Sequence, residues 1–404
     1  MLPSSHIGCS DADSRSLYSH TISPDNRKRI TTIAFSVDTT SADAVDAADS
    51  IPVVARARDF ARNELAPNAL RTDSDGVSAE TVDRLRELGL LNAHAPTAFG
   101  GAQVDKAGER AIHEHIAHGD FNTWLVWAQH SGLVTQYAEH AKSGQPVGET
   151  GERVLRGEIL TGTAISDVRH YPERYISATA VAGGWAIDGT VSWVSGWGVN
   201  EFLTVAAIDP ATETRLLVLV DVTDTRVKAE KLPLVVATGS RTWRVTFDAV
   251  FVPESDVVTR GPISDWDTKD RNIISDVRAQ AFGVARAIFD ELRASSNPKA
   301  VAVQSAWEPR FAHYRASAYG LSDRAGADPK GPQYFEERLA LKVETLRSLS
   351  EISRALVISR AGSGIVGTDT AQLHARSVLF LQIQSQNSES RAAQLEDIAA
   401  LALR

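Results

Sequence analysis

Along this 404-residue chain the apolar positions recur first with one period, then with another, then with the first again. From residue 51, Val53, Val54, Ala57, Phe60 and Ala61 fall at helical spacing. Ser78 and Glu80 ahead of Val82, Leu85, Leu88 and Leu90 read as a capped amphipathic helix. Further helical patterns cover residues 108–118 and 123–140. The period then drops to two. Residues 159–166, 175–181, 184–194, 202–208, 215–220 and 227–231 are apolar and β-branched runs broken by Gly, Asp and Pro. In a later strand Trp243, Val245 and Phe247 share a face, and Pro253, with no N–H to give a sheet, ends the pairing. Long helical patterns return over residues 277–292, 307–325, 334–361 and 370–386, with Asp323, Ala325, Gly326, Asp328, Pro329 and Gly331 marking a loop. The order helix, strand, helix predicts an α+β protein in three parts: residues 51–158, 159–262 and 263–404. Residues 1–50 hold too little apolar surface to offset ordering entropy and are expected to be a mobile leader, or else a targeting or docking arm around Arg27, Lys28 and Arg29.

Composition narrows the chemistry. A hydrophobic content of 43% supports a sizeable core, and a net charge of -9 argues against nucleic acid as a partner. A single cysteine, Cys9, excludes an internal disulfide framework and a thiolate-rich metal site, and fits a cytoplasmic protein. No apolar run is long enough to span a bilayer, no signal-peptide pattern is present, and no membrane partner is expected. Asp265, Asp267 and Asp270 lack the glycine and distal glutamate of a calcium loop, so a solvated linker and no metal are expected there.

The segment at residues 239–258, GSRTWRVTFDAVFVPESDVV, resembles the end of the β-domain in acyl-CoA dehydrogenases, where a V-x-F-D-x-V-x-V-P strand closes a small β-barrel before a C-terminal helical bundle. Here Val245, Phe247, Asp248, Val250, Val252 and Pro253 fill that pattern, with Arg241 ahead of them. GLLNAHAPTAFGG at residues 89–101 resembles the family's G-L-L-x-x-x-x-P-x-x-x-G-G turn. The resemblance implies an N-terminal helical domain, a middle β-barrel domain and a C-terminal four-helix bundle, with bundle faces that make homodimers or homotetramers. It also implies a flavin, FAD by family habit. GTAISD, residues 162–167, would line the pyrimidine side of the ring through Ala164 and the Ser166 hydroxyl. In SWVSGWG, residues 192–198, Trp193 and Val194 would pack on the ring and Ser195 would bond near its N5 edge. Gly362 and Gly364 would let backbone approach the pyrophosphate, and Trp127, His130 and His374 would belong to the substrate side.

The same resemblance exposes departures. The family's α-proton base is a glutamate, and its late position reads Ser385 here, between Gln384 and Gln386. An earlier glutamate position reads Ile273 and Ile274, with Asp276 nearby. Serine is no base at neutral pH without a partner. Three functions follow. The first is acyl-thioester CH–CH dehydrogenation with an unconventional base, passing electrons to an electron-transfer partner. The second is oxygenation by reduced flavin (FAD, or FMN) supplied by a reductase, with Ser166, Ser195, His130 and His374 as donors. The third is a degenerate oligomeric scaffold without flavin.

Overall fold

The computed structural model describes residues 38–328, 331 and 333–403. Most of the expected leader, with Cys9 and the basic triplet, lies outside the described residues, as does Pro329. The remainder of that leader is helical: α1 (Thr40–Ala47) buries Ala42 and Val45. Polar contacts hold it as well. Asp46 meets Arg315 at 2.9 Å and Asp49 meets His115 at 2.6 Å.

The N-terminal helices follow their caps. α2 (Pro52–Phe60) runs through a π turn at Ala61–Leu65 into α3 (Ala66–Asp75). α4 (Ala79–Glu87) starts at Ser78, whose hydroxyl accepts the Thr81 N–H. Between α5 (Lys106–Gly119) and α6 (Phe121–Ser143), Asp120 accepts the Asn122 and Thr123 N–H groups at 3.2 and 2.8 Å and opens α6. A short α7 (Gly148–Leu155) leads to the strands.

Eight strands form one sheet: β1 (Thr161–Ala164), β2 (Ser177–Val181), β3 (Gly184–Val194), β4 (Phe202–Asp209), β5 (Thr214–Asp221), β6 (Val227–Lys231), β7 (Trp243–Pro253) and β8 (Val257–Pro262). The order is β6-β7-β3-β2-β4-β5-β8, with β1 parallel to β4. Side chains from β1 through β7, among them Ile187, Val205, Val218 and Phe247, enclose one apolar core. β7 keeps the expected alternation only as far as Phe247; Val250 and Val252 then point inward on the opposite parity. Ala249 causes the change. Its φ of 48° is left-handed, the ladder to β3 slips between Ile187 and Gly189, and a bulge re-aims the rest of the strand.

Beyond the sheet the aspartates expected to form a solvated linker lie on a helix, α8 (Ile263–Ser275). The core bundle is α9 (Ala279–Arg293), α10 (Pro298–Ala327), α11 (Phe335–Arg360) and α12 (Thr370–Ile383), with α13 (Ser388–Leu401) outside it. α10 starts earlier than its apolar pattern because Asn297 caps Lys299 N–H and Pro298 occupies the first turn. It also runs on through Ala327, over residues expected to form a loop. α9 approaches α5 so closely that a Cβ on Gly283 would lie 2.4 Å from the Glu114 carbonyl oxygen, a position only glycine tolerates. This close contact packs α9 of the bundle directly against α5 of the N-terminal helices.

Candidate functional site

A cavity of about 730 Å³ opens where α6, the sheet, α8 and the end of α12 meet. Its apolar surface comes from Leu125, Ile165, Trp193, Trp266, Phe380 and Ile383. The rest is polar or charged: Gln129, Thr163, Ser166, Arg169, His170, Ser195, Thr242, Asp267, Asp270, Arg271, Gln384 to Ser388 and Arg391.

The sheet side is built by two loops. Trp193, next to last in β3, is 39% exposed, an unusual state for so large an apolar side chain, and it lines the cavity. Val194 turns the other way, into the sheet core. Gly196, at φ 82°, bends the chain so that its N–H reaches the Ser240 carbonyl at 2.8 Å, and Asn200 Nδ2 donates to the Ser195 carbonyl at 2.8 Å. The Ser166–His170 turn is pinned by Asp167. That buried carboxylate accepts from Ser192 N–H at 2.7 Å, Ser166 Oγ at 2.9 Å and Arg174 Nε at 2.7 Å. Asp167 therefore anchors the loop to β3.

The opposite wall carries most of what the sequence left unassigned. Arg169 makes a two-pronged pair with Asp270, both contacts at 2.7 Å, and so fastens the Asp167 turn to α8. Asp267 has no hydrogen bond or ion pair among the described residues, and burial, followed by the neighbouring Asp270 charge, raises its pKa. Ser385 lines the cavity with a left-handed φ of 52°. Beneath it lies Lys342, buried, with Nζ donating to the Ile274 carbonyl at 2.6 Å and the Ser385 carbonyl at 3.2 Å. Burial brings that ammonium down to about 8. A cation thus ties together both stretches where the family places a glutamate. Asp267 and Asp270 carried a signal in the sequence, since aspartates three residues apart share a helix face, but only once their stretch is known to be helical.

Ser166, Trp193, Ser195 and Ser385 are brought to the cavity. Other candidates sit elsewhere. Ala164 is in the sheet core. Trp127 is buried with its Nε1 donating to the Leu90 carbonyl at 2.8 Å. His130 accepts the Thr161 N–H at Nδ1 and donates from Nε2 to the Leu91 carbonyl at 2.8 Å, so it is a strut between the turn after α4 and β1. His374 bonds Glu291 at 3.0 Å between α12 and α9. Burial opposes charge on Glu291, but His374 and then the bonds from Thr370 and Arg360 outweigh it and hold the carboxyl at about 2. Gly362 and Gly364 lie in the Ala361–Ile365 turn after α11, outside the cavity lining. Among the described residues no cluster of three or more His, Cys, Asp or Glu could hold a metal ion, and no helix is long and apolar enough to cross a membrane.

Burial pushes His130 and His113 down to about 4, so both are neutral in the folded chain above that pH. An unfolded histidine titrates near 6.5, so between about 6.5 and 4 the unfolded state binds more protons and stability falls as pH falls. We expect each site to remove about 3 kcal/mol by pH 4. Urea midpoints between pH 7.5 and 4 measure this, and His130→Gln should give a shallower slope than the parent. An equal slope would contradict the assignment.

A helical, strand and helical chain whose exposed tryptophan and hydroxyl-lined cavity lie between sheet and bundle defines a class of protein, and comparison identifies it. Residues 49–145 match the family model for the acyl-CoA dehydrogenase N-terminal domain. The benzylmalonyl-CoA dehydrogenase of Aromatoleum aromaticum is 26% identical over 251 residues, covering 59% of this chain and 66% of that protein, just under two thirds of its length. Butyryl-CoA dehydrogenase from Megasphaera elsdenii is similar in fold at a TM-score of 0.68 and 17% identity, over 90% of this chain and 98% of that one. A glutaryl-CoA dehydrogenase from Mycobacterium smegmatis in complex with FADH2 gives 0.66 and 16%, over 90% and 95%. Residues 49–145 thus match the family's N-terminal domain, and the chain as a whole shares the acyl-CoA dehydrogenase fold.

Proposed function

We propose that this chain is a flavin-dependent oxidoreductase that takes FAD and acts on a small polar or thioester-linked substrate. The observation that carries the reading is the exposed Trp193 beside the hydroxyls of Thr163, Ser166 and Ser195. A planar heteroaromatic ring needs an apolar face to cover and polar atoms at its edge, and these residues supply both. The side-chain amide of Gln129, which has no partner among the described residues, adds a donor and an acceptor to the same rim. The FADH2 complex of the glutaryl-CoA dehydrogenase supports FAD as the ligand. When bound, the flavin supplies a two-electron hydride acceptor.

For CH–CH dehydrogenation the chain must also remove a proton. Asp267 is the cavity carboxylate free of partners among the described residues, and its raised pKa suits a base that becomes a neutral acid. Asp270, held by Arg169, is already committed. We expect Asp267→Asn to slow anaerobic bleaching of bound flavin by acyl-CoA thioesters by about 10²–10⁴-fold with flavin affinity unchanged. Bleaching at the parent rate would remove Asp267 from the mechanism.

A second reading is oxygenation with reduced flavin, which needs no such base. The cavity hydroxyls of Thr163, Ser166 and Ser195, whose protons go to protein partners, favour it. A homo-oligomer is proposed for either reading, supported by large apolar side chains left exposed on α11, the turn after it, α12 and α13: Ile358, Ile365, Leu379, Leu395 and Ile398.

A further inference from the structure

Hydroxyls are ambiguous in a hydrogen bond until something fixes their direction, and here a carbonyl does. Ser240 Oγ lies 2.7 Å from the Ala237 carbonyl oxygen, which can only accept. The single Ser240 hydroxyl proton is therefore spent on Ala237. Thr242 Oγ1, 2.8 Å from Ser240 Oγ, must be the donor of that pair. Ser195 Oγ, 2.7 Å from Thr242 Oγ1, must in turn donate to Thr242. The opposite polarity would leave the Ser240 and Ala237 oxygens facing each other at 2.7 Å without a proton between them. All three side chains are buried, at 0%, 4% and 8% exposure for Ser240, Thr242 and Ser195, so bulk water offers little relief.

The other cavity hydroxyls point the same way. Thr163 Oγ1 donates to the Gln129 carbonyl at 2.8 Å, and Ser166 Oγ donates to the Asp167 carboxylate at 2.9 Å. The hydroxyl protons of Thr163, Ser166 and Ser195 are all directed into the protein, and what these hydroxyls offer the cavity is lone pairs. At these hydroxyls a ligand edge that carries N–H groups is welcomed and an edge that carries only lone pairs is repelled. Oxidised flavin presents a bare nitrogen at N5, whereas reduced flavin presents N5–H.

We propose that Thr242 and Ser240 act as positioning residues that lock Ser195 as an acceptor and so make this cavity selective for reduced over oxidised flavin. The inference rests on the flavin reading above and specifies which redox state the chain prefers. In the same terms, the expected donor role of Ser166 and Ser195 reverses: both are acceptors towards the ligand.

The test is anaerobic titration of the full chain with oxidised FAD and with dithionite-reduced FAD, followed by tryptophan fluorescence. The parent should bind the reduced form at least about tenfold more tightly, as expected for one well-placed hydrogen bond against a lone-pair clash. Thr242→Val removes the acceptor and frees the Ser195 proton to turn towards the cavity. It should narrow the preference by about tenfold, mainly by improving oxidised binding, with an equivalent fall of about 30 mV in the two-electron midpoint potential. Ser240→Ala, which cuts the relay at its carbonyl end, should move the ratio in the same direction and guards against a Thr242 variant that fails to fold. A parent that binds both forms equally, or a folded Thr242→Val or Ser240→Ala with an unchanged ratio, would overturn the relay while leaving flavin binding standing. A parent that binds neither form would overturn the flavin reading and the relay with it.

Discussion

Truncating Glu114 to alanine should cost the folded chain about 3–5 kcal/mol, the range for removing one partner of a buried ion pair. The carboxylate is 1% exposed and takes Arg315 Nε at 2.6 Å, the Tyr319 hydroxyl at 2.6 Å and Arg286 at 3.4 Å. Without it Arg315 keeps only Asp46, a group at the chain's surface, and the Tyr319 hydroxyl loses its acceptor. The loss spreads, since Arg286 also donates to His115 Nδ1 at 3.1 Å, leaving the His115 Nε2 proton for Asp49. Burial and then Arg286 lower the His115 pKa, which keeps this imidazole neutral. One carboxylate on α5 therefore joins α1, α9 and α10. An exposed pair gives the contrast: Glu139 and Lys142 meet at 3.1 Å with side chains 62% and 58% exposed, and Glu139→Ala should change stability by less than about 0.5 kcal/mol. Urea unfolding at pH 7.5 measures both. Effects of similar size in the two variants would contradict the network.

Trp193→Ala should weaken flavin binding by about 10–100-fold, from about 1.5–3 kcal/mol of lost ring stacking and apolar contact. Its fold should survive, because Trp193 is 39% exposed and Val194 and Val191 fill the sheet core beside it. Trp307→Ala, on α10 and outside the cavity lining, controls for the general loss of a tryptophan and should leave affinity unchanged. Equal affinity in the parent and Trp193→Ala would move the ring off this wall.

The division into helical, strand and helical thirds was legible because period alone carries it: Val245 and Phe247 alternate, and Val82 and Leu85 keep helical spacing. Boundaries were less so. Residues 263–275 are polar enough to resemble a linker, yet they form a helix whose Asp270 is held by Arg169 from a hundred residues away. No local pattern encodes such a pairing. The cavity loops were legible through Trp193 and Ser195, which a bend at Gly196 presents together. His130 and His374 misled for a physical reason: a histidine that ties Leu91 to Thr161, or one that pairs with Glu291, looks in sequence like any histidine free for chemistry. The polarity of the Ser195 hydroxyl was beyond sequence altogether, because it is decided by the Ala237 carbonyl, which every residue type carries.

The central claim is that the cavity beside Trp193 holds a flavin. It is tested most directly by the visible absorption spectrum of the chain after mixing with FAD in each redox state and gel filtration under nitrogen. The account predicts flavin co-eluting with the protein in at least one state, with absorption shifted from that of free FAD by the indole stacked against it. Protein that elutes free of flavin in both states would contradict it.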